Sequence, residues 1–315
     1  MSKFFKRTQK VNETQAPRAP QPLDVLNVDQ LLDSINRGVD EQLAGLETTA
    51  SPDTKISTAL DSVQASPAVG VVEFPTEPFK MVRLPRDPRR LFFPEDDTVP
   101  AAPALEAYRS FRTRVLRLQA RRQFRTVAIT SAAKGDGKTL TATNLALCCA
   151  QLPQFPVLLI DGDLRTHGAG QCLGHDDGPG LADVLSGRVA REAAVVATDI
   201  PNLHFVCAGD ATKNPPELFS GAPWKEFIHW CKESFKLVLV DCPPALPLAD
   251  FELISASCDG ILVIARARAT HKDALERVLA QVDSHKLLGV SVNSVSSYDQ
   301  SYYYYEYGDK GRRRR

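Results

Sequence analysis

No stretch of the sequence approaches the ~20 consecutive apolar residues that a membrane-spanning helix needs. Charge of one sign is not in excess either, because lysine plus arginine equals aspartate plus glutamate at 38 each. A chain without net positive charge has no general attraction for polyanions, so we expect no nucleic-acid partner. The basic N-terminus lacks a following apolar stretch, and we expect no secretory signal there. These absences predict a cytoplasmic protein.

Cysteine is present, but without the spacing of a metal site. The seven cysteines are scattered, and Cys148 and Cys149 are adjacent in a predicted helix, where neighbouring side chains point in different directions. Scattered cysteines of this kind are typical of reduced cytosolic thiols that pack as small apolar groups.

The first hundred residues differ in composition from the rest of the chain. They are rich in Pro, Ala, Thr, Ser and Asp, and such a segment buries too little apolar surface to offset its conformational entropy. We predict that residues 1–100 are largely disordered. Apolar residues recur at roughly helical spacing within 23–46, which indicates either a short docking helix for a partner or a transient helix in a linker.

A different pattern begins at Leu105. Apolar residues recur there every three or four positions, which predicts an amphipathic helix. Short, near-continuous apolar runs follow, separated by helical stretches, as is typical of a parallel sheet with helices on both faces. We predict an α/β domain of this kind over 101–297. The predicted strands are Thr126–Thr130, Val157–Asp161, Leu203–Cys207, Leu237–Asp241, Ile261–Ala265 and Val290–Asn293, and the predicted helices include Lys138–Gln151, Trp224–Phe235 and Lys272–Ser284.

The segment Ser131–Thr139 predicts a phosphate-binding loop, because it follows a predicted strand and precedes a predicted helix. Gly135 and Gly137 allow successive backbone N–H groups to converge on phosphate oxygens, and the helix directs its positive end at the same anion. Lys138 reaches the β- and γ-phosphates, and the Thr139 hydroxyl binds Mg²⁺. The domain is therefore predicted to be P-loop NTPase-like. Its predicted nucleotide-binding residues are Lys134, Gly135, Asp136, Gly137, Lys138, Thr139 and Leu140.

Two of the predicted strands end in aspartate. Asp161 ends one strand and is followed by Asp163, and Asp241 ends another. Carboxylates at the ends of buried apolar strands need a cation or hydrogen bonds, and Mg²⁺ on the phosphates supplies that cation. We predict that Asp241 acts as a Walker B residue and that Thr139, Asp163 and Asp241 are the metal ligands. Taken one by one, the same aspartates also fit helix N-cap or turn positions.

Six of the seven tyrosines lie in a polar tail at residues 298–315. No apolar period buries them, so we expect exposed rings that serve recognition or modification. Phosphorylation would make the tail a polyanion that pairs with Lys310 and the Arg312–Arg315 run. The arginine run alternatively contacts an acidic neighbour or anionic lipid, or stays solvated without a partner. The predicted autophosphorylation sites are Tyr298, Tyr302, Tyr303, Tyr304, Tyr305 and Tyr307.

Several further motifs occur in a fixed order along the chain. They are EAYRSFRT at 106–113, VLLIDGDLR at 157–165, GLADVLSG at 180–187, NPPELF at 214–219, LVLVDCPP at 237–244 and PLADFELI at 247–254, followed by the tyrosine cluster. With these motifs, the chain from Leu105 onwards resembles the bacterial tyrosine kinases of capsule and exopolysaccharide synthesis, a family of deviant-Walker ATPases.

The resemblance implies an ATP-dependent tyrosine autokinase that phosphorylates its own tyrosine cluster with Mg²⁺ and regulates polysaccharide synthesis and export. It implies a membrane chain-length-determinant protein as activating partner, a cognate tyrosine phosphatase, and recruitment to the inner face of the cell membrane. The catalytic residues that it implies are Lys138, Asp161 and Asp163.

The resemblance also implies a ring of identical subunits. The family's E-x-x-R-x-x-R helix, which packs on a neighbouring subunit, corresponds here to Glu106, Arg109 and Arg112. The alternative is a set of ion pairs within a single helix.

Some positions depart from the family pattern. Lys134 stands where proline is common, Thr166 and His167 stand where Lys-Pro is usual, and Cys242 replaces a common threonine. Ala133 stands where cargo-positioning ATPases of the wider class carry a lysine, which argues against that branch. Two alternative functions stay open: a non-catalytic ATP-binding switch of polysaccharide assembly, and a cargo-positioning ATPase.

Overall fold

The described part of the chain forms a sheet with helices around it. The computed structural model describes residues 79–85, 91, 102–210, 214–246 and 249–294. Its strands are β1 Lys80–Val82, β2 Thr126–Ser131, β3 Val157–Asp161, β4 Val196–Thr198, β5 Leu203–Val206, β6 Leu237–Asp241, β7 Gly260–Arg266 and β8 Leu287–Asn293. Its helices are α1 Ala102–Arg122, α2 Lys138–Ala150, α3 Gly168–Leu173, α4 Leu181–Leu185, α5 Arg191–Ala194, α6 Pro215–Ser220, α7 Ala222–Ser234, α8 Ala249–Ala256 and α9 Lys272–Gln281.

The strands follow the order β1-β4-β5-β3-β6-β2-β7-β8 across the sheet. Every neighbouring pair is parallel except β4 with β5, which is antiparallel. The central strands β3 and β6 are apolar runs, buried along their whole length, that end in aspartate. Such runs suit parallel strands that are covered on both faces. The predicted α/β fold with a mostly parallel sheet is confirmed.

Helices cover both faces, and alternate residues of each strand point into the two layers. In β3, Leu158 and Ile160 join one hydrophobic cluster, whereas Val157 and Leu159 join the other. Helices α4 to α9 supply the first cluster, which includes the fully buried Trp224, and α1, α2 and α3 supply the second. All seven cysteines lie within the described residues, are buried and form no disulfide.

The amphipathic helix predicted from Leu105 corresponds to α1. Leu105 and Val115 are buried, and Phe111 and Leu118 pack against the second cluster. Within the described ranges, none of the helices combines the length and the apolar character that crossing a membrane requires.

Part of the region before residue 101 packs on the domain. β1 pairs in parallel with β4, and the backbone N–H of Leu84 donates to Asp199 Oδ1 at 3.0 Å. Leu84 and Leu91 are both buried in the cluster that α1 and α2 supply. Residues 79–85 and Leu91 therefore belong to the same packed unit as the sheet. The predicted helix at 23–46 and the tail at 298–315 lie outside the described residues.

Three strand ends meet at the carboxyl edge of the sheet. Asp161 of β3 and Asp241 of β6 are register partners, and Ile129 of β2 pairs with Asp241 from the other side. The loop from β2 to α2 therefore begins beside the strand that carries Asp241. Ligands bind at this edge in open α/β sheets.

Candidate active site at the carboxyl edge of the sheet

The loop between β2 and α2 has the backbone of an anion cradle. Gly135 and Gly137 have φ angles of +93° and +94°, which residues with a β-carbon rarely adopt. At Gly137 space is limiting as well, because a β-carbon would lie 2.0 Å from Asn293 Nδ2. Helix α2 begins directly after this loop, at Lys138, so that its N-terminal amides face the same space.

The Lys138 side chain joins the loop to the two acidic strand ends. Its Nζ donates to Asp163 Oδ2 at 3.1 Å and to Thr139 Oγ1 at 3.3 Å, and it lies 3.7 Å from Asp241 Oδ1. Burial lowers the pKa of this ammonium, but the carboxylates of Asp241 and Asp163 outweigh burial, and the pKa is raised overall. Lys138 is therefore a fixed positive charge at the loop.

The Asp241 carboxylate has few partners for a buried charge, with Lys138 Nζ 3.7 Å from Oδ1. It is fully buried, and neither of its oxygens accepts a hydrogen bond from a described residue. Burial raises the pKa of Asp241 to about 6, although the nearby Lys138 ammonium and Thr139 hydroxyl oppose that rise. A buried carboxylate with both oxygens unsatisfied fits a divalent cation, and oxygen donors of this kind are those that Mg²⁺ prefers.

Asp161 and Asp163 differ in what surrounds them. Asp161 is fully buried, and its two oxygens accept the backbone N–H groups of Gly170 at 2.9 Å and Asp163 at 3.3 Å. Burial and the neighbouring Asp241 raise its pKa to about 7. Asp163 instead directs Oδ2 at Lys138. Asp163 therefore lies at the phosphate loop. Asp161 holds the turn that joins the end of β3 to Asp163.

The remaining predicted loop residues face other directions. The Asp136 side chain turns away from the cradle, accepting the backbone N–H of Ala133 at 2.9 Å and the hydroxyl of Thr270 at 2.8 Å. Lys134 is exposed, and Leu140 packs against the cluster beneath α2. Only the backbone of Asp136 is thus available to a phosphate.

Two contacts at the carboxyl edge of the sheet involve residues that were not predicted to belong to the nucleotide site. Gly168, at the start of α3, lies so close to Thr139 that a β-carbon would be 3.2 Å from its Oγ1. Arg165, which ends VLLIDGDLR, donates through Nε to Asp250 of PLADFELI at 2.8 Å. The second contact joins two of the ordered motifs, and motif order alone did not indicate their proximity.

The residues of the E-x-x-R-x-x-R helix lie away from the phosphate loop. Glu106 and Arg109 form an ion pair within α1, and Arg112 Nη1 donates to the Cys148 carbonyl near the end of α2 at 2.8 Å. Glu106 and Arg109 are therefore on the surface, whereas Arg112 also holds α1 against α2. The predicted autophosphorylation sites, at 298 and beyond, lie outside the described residues.

The sheet is mostly parallel, its β2–α2 loop takes its conformation from two glycines, and β3 and β6 end in aspartate. This arrangement defines a P-loop nucleotide-binding protein. The family described as AAA domain matches residues 124–288. Tyrosine-protein kinase YwqD of Bacillus subtilis is 34% identical over 216 residues, covering 68% of this chain and 90% of that protein. Tyrosine-protein kinase CpsD of Streptococcus agalactiae is 32% identical, covering 60% of this chain and 82% of that protein. The chain belongs to this family of bacterial tyrosine kinases.

Other relatives extend well beyond the matched region. The putative tyrosine-protein kinase AmsA of Erwinia amylovora is 34% identical over 163 residues, which are 52% of this chain and 22% of AmsA. Among solved structures, the BceF tyrosine kinase domain has a TM-score of 0.54 at 27% identity, covering 61% of this chain and 78% of that one. The resemblance noted in the sequence is thus confirmed over the P-loop domain.

Proposed function

We propose that this chain is an ATP-dependent protein-tyrosine kinase that phosphorylates tyrosines of its own C-terminal segment. The observation that carries the proposal is the buried Asp241 carboxylate, which accepts no hydrogen bond from the described residues and lies 3.7 Å from Lys138. A carboxylate in this position is matched by the metal of a nucleotide–Mg²⁺ complex. Family membership suggests the acceptor, because the relatives are named tyrosine-protein kinases.

In this proposal the phosphates of ATP occupy the phosphate loop between β2 and α2. The conformations of Gly135 and Gly137 turn backbone N–H groups towards the phosphate oxygens, and α2 directs its positive end at them. Lys138 is close enough to the loop to balance charge on the transferred group. Thr139, Asp163 and Asp241 would hold Mg²⁺, which would supply charge neutralisation at the phosphates.

Transfer forms a bond from the tyrosine oxygen to the γ-phosphorus and breaks the bond from that phosphorus to the β,γ-bridging oxygen, so ADP leaves with the bridging oxygen. The phenolic proton passes to a carboxylate. We assign this role to Asp161, because Asp163 is already bonded to Lys138 and assigned to the metal, whereas burial and Asp241 raise the pKa of Asp161 to about 7, which suits a proton acceptor. The backbone N–H groups of Asp163 and Gly170, which donate to Asp161, hold its carboxylate in place.

The wider setting of the proposal comes from family resemblance. The acceptors are Tyr298, Tyr302–Tyr305 and Tyr307, and phosphorylation regulates the synthesis and export of a polysaccharide. The kinase works in the cytoplasm at the inner face of the membrane, with a chain-length-determinant protein as activator and a tyrosine phosphatase as its opponent. Subunits assemble head to tail through the surface that contains Glu106 and Arg109.

The kinase proposal is tested by incubating the full chain with Mg²⁺ and γ-labelled ATP beside Lys138→Met. We expect tyrosine label in the wild type and a loss of roughly 10²-fold or more in the variant, the cost of removing one charge-stabilising group from a preorganised site. Lys225→Met is the matched control, since Lys225 is exposed on α7 and belongs neither to the phosphate loop nor to the acidic strand ends. Mass spectrometry of the C-terminal peptide locates the label.

Equal labelling of wild type and Lys138→Met would contradict the proposal. Release of ADP without any phosphotyrosine would favour a cargo-positioning ATPase instead. Nucleotide binding with neither hydrolysis nor label would favour the regulatory switch.

A further inference from the structure

The loop that follows β7 lies against the outer side of the phosphate loop. β7 pairs in parallel with β2, with Ile264 opposite Ser131, so the segments that leave the two strands adjoin. Arg266 ends β7, and Thr270 lies two positions before the start of α9 at Lys272. Neither residue belongs to the motifs that define the nucleotide site.

A directed chain of hydrogen bonds joins the two loops. The backbone N–H of Arg266 donates to Thr270 Oγ1 at 2.7 Å, Thr270 Oγ1 donates to Asp136 Oδ1 at 2.8 Å, and the N–H of Ala133 donates to Asp136 Oδ2 at 2.9 Å. Because Thr270 accepts from an amide, its single hydroxyl proton is available to the carboxylate. Thr270 and Asp136 are 4% and 3% exposed, so water does not easily replace these bonds.

Two further contacts hold carbonyl groups of the phosphate loop from outside. Arg266 Nη1 donates to the Gly135 carbonyl at 3.3 Å, and Asn293 Nδ2 donates to the Asp136 carbonyl at 3.4 Å. In a trans peptide the C=O and the N–H of the next residue point in opposite directions. With these two carbonyls held outward, the N–H groups of Asp136 and Gly137 face inward, where the phosphate is proposed to bind.

We infer that Thr270 is a positioning residue for nucleotide binding: its hydroxyl fixes the Asp136 carboxylate, and through it Ala133, so that the phosphate loop keeps its shape before nucleotide arrives. This inference rests on the proposed nucleotide-binding function. Thr270 itself does not touch the phosphates. Its loss leaves the Arg266 N–H and one Asp136 oxygen buried without these partners.

The test compares binding of a fluorescent ADP analogue with Mg²⁺ to the full-length wild type, Thr270→Val and Thr270→Ser. Valine keeps the shape and removes the hydroxyl, so we expect affinity to fall about tenfold, the order produced by an unsatisfied buried group. Serine restores the hydroxyl, and affinity should stay within about twofold of the wild type. In kinase assays Thr270→Val should raise KM for ATP more than it lowers kcat.

Thr198→Val is the matched control. Thr198 is also 4% exposed and donates its hydroxyl to the Leu203 carbonyl at 3.0 Å, but it lies at β4, at the far side of the sheet. Its loss should lower the melting temperature and leave ADP affinity unchanged. Asp136→Asn tests the Thr270–Asp136 hydrogen bond from the other side. Asparagine has one acceptor oxygen, whereas the Asp136 carboxylate accepts from both Thr270 and Ala133. The same tenfold loss of affinity is expected.

Wild-type affinity in Thr270→Val and Asp136→Asn would overturn the inference while leaving nucleotide binding intact. An equal loss in Thr198→Val would also overturn it, by showing that general destabilisation is the cause. Should Thr270→Val fail to fold, Asp136→Asn decides alone. Absence of ADP binding by the wild type would instead overturn the proposed function, and this inference with it.

Discussion

Three carboxylates and one ammonium share a buried space at the carboxyl edge of the sheet. Lys138 lies 3.1 Å from Asp163 and 3.7 Å from Asp241, and Asp161 is the register partner of Asp241. Burying several negative charges together raises the free energy of the folded state. Protonation of a carboxylate lowers that free energy, so the pKa values of such carboxylates rise. The pKa values of Asp161 and Asp241 are raised for this reason, with burial as the largest cause.

The free energy of unfolding without nucleotide is therefore expected to fall as pH rises from about 4 to about 7. Asp161 and Asp241 have folded-state pKa values of about 7 and about 6, above the 3.8 of an unfolded Asp, so raising the pH removes protons that favour the folded state. Asp241→Asn removes one of these ionisations. At pH 8 its melting temperature should exceed that of the wild type by about 2–4 °C, the shift that ~1 kcal/mol produces in a domain of this size, and near pH 4 the gain should vanish.

Asp259→Asn is the control for this prediction. Burial raises the pKa of Asp259, but Lys232 and the backbone amides of Arg125 and Thr126 outweigh burial, and the pKa is lowered overall. This carboxylate is well satisfied, and replacing it should lower the melting temperature at pH 8. A similar decrease in Asp241→Asn would contradict the view that burial outweighs the Lys138 ammonium at Asp241 in the protein without nucleotide.

Motif spacing predicted the phosphate loop and the acidic strand ends, because a strand–loop–helix signal is local in sequence. It did not predict the direction of the Asp136 side chain. That carboxylate contacts Thr270, 134 positions away, and no local pattern encodes a hydrogen bond between two loops so far apart. The role of Asn293 against Gly137 was missed for the same reason.

At the scale of elements, strand length decided what could be predicted. β3 and β6 are five-residue strands, and their predicted bounds are those of the structure. β1 and β4 have three residues each, too few to establish a period. Their conformation depends on pairing within the sheet rather than on intrinsic preference.

The short β1 segment is nevertheless expected to contribute to stability. Leu84, just after β1, is 2% exposed, and truncation of a buried leucine costs about 2–5 kcal/mol, partly through the cavity left behind. We expect Leu84→Ala to lower the free energy of unfolding in urea by about 3 kcal/mol. Met81→Ala is the control, since Met81 is 64% exposed, and its effect should stay within about 0.5 kcal/mol. Equal, small effects of both changes would show that this segment does not pack on the domain in solution.

At the scale of the whole molecule, charge is unevenly distributed. α1 carries six arginines and one acidic residue, whereas the complete chain has no net charge. The rest of the chain is therefore net negative. The positive α1 of one copy is attracted to negative residues of another, which favours the head-to-tail contact that a ring of identical subunits needs.

We expect Arg109→Glu to reduce assembly of the full chain, measured by sedimentation velocity, by about tenfold or more, because it places a repulsive charge beside Glu106. Arg112 is unsuitable for this test, since its guanidinium also holds the Cys148 carbonyl. Arg277→Glu, the same charge reversal at an exposed position on α9, serves as control and should assemble normally. Unchanged assembly in Arg109→Glu, or a monomeric wild type, would contradict a ring built through this surface.

The last strand gives the molecule a fixed point from which its C-terminal segment starts. β8 ends at Asn293, whose amide reaches the Asp136 carbonyl in the phosphate loop at 3.4 Å. An extended chain advances ~3.3–3.6 Å per residue, so Tyr298 stays within roughly 18 Å of Asn293, whereas Tyr307 extends to roughly 50 Å. Chain length alone therefore sets an upper limit on the distance of each of the six tyrosines from the phosphate loop, and that limit grows steadily from Tyr298 to Tyr307.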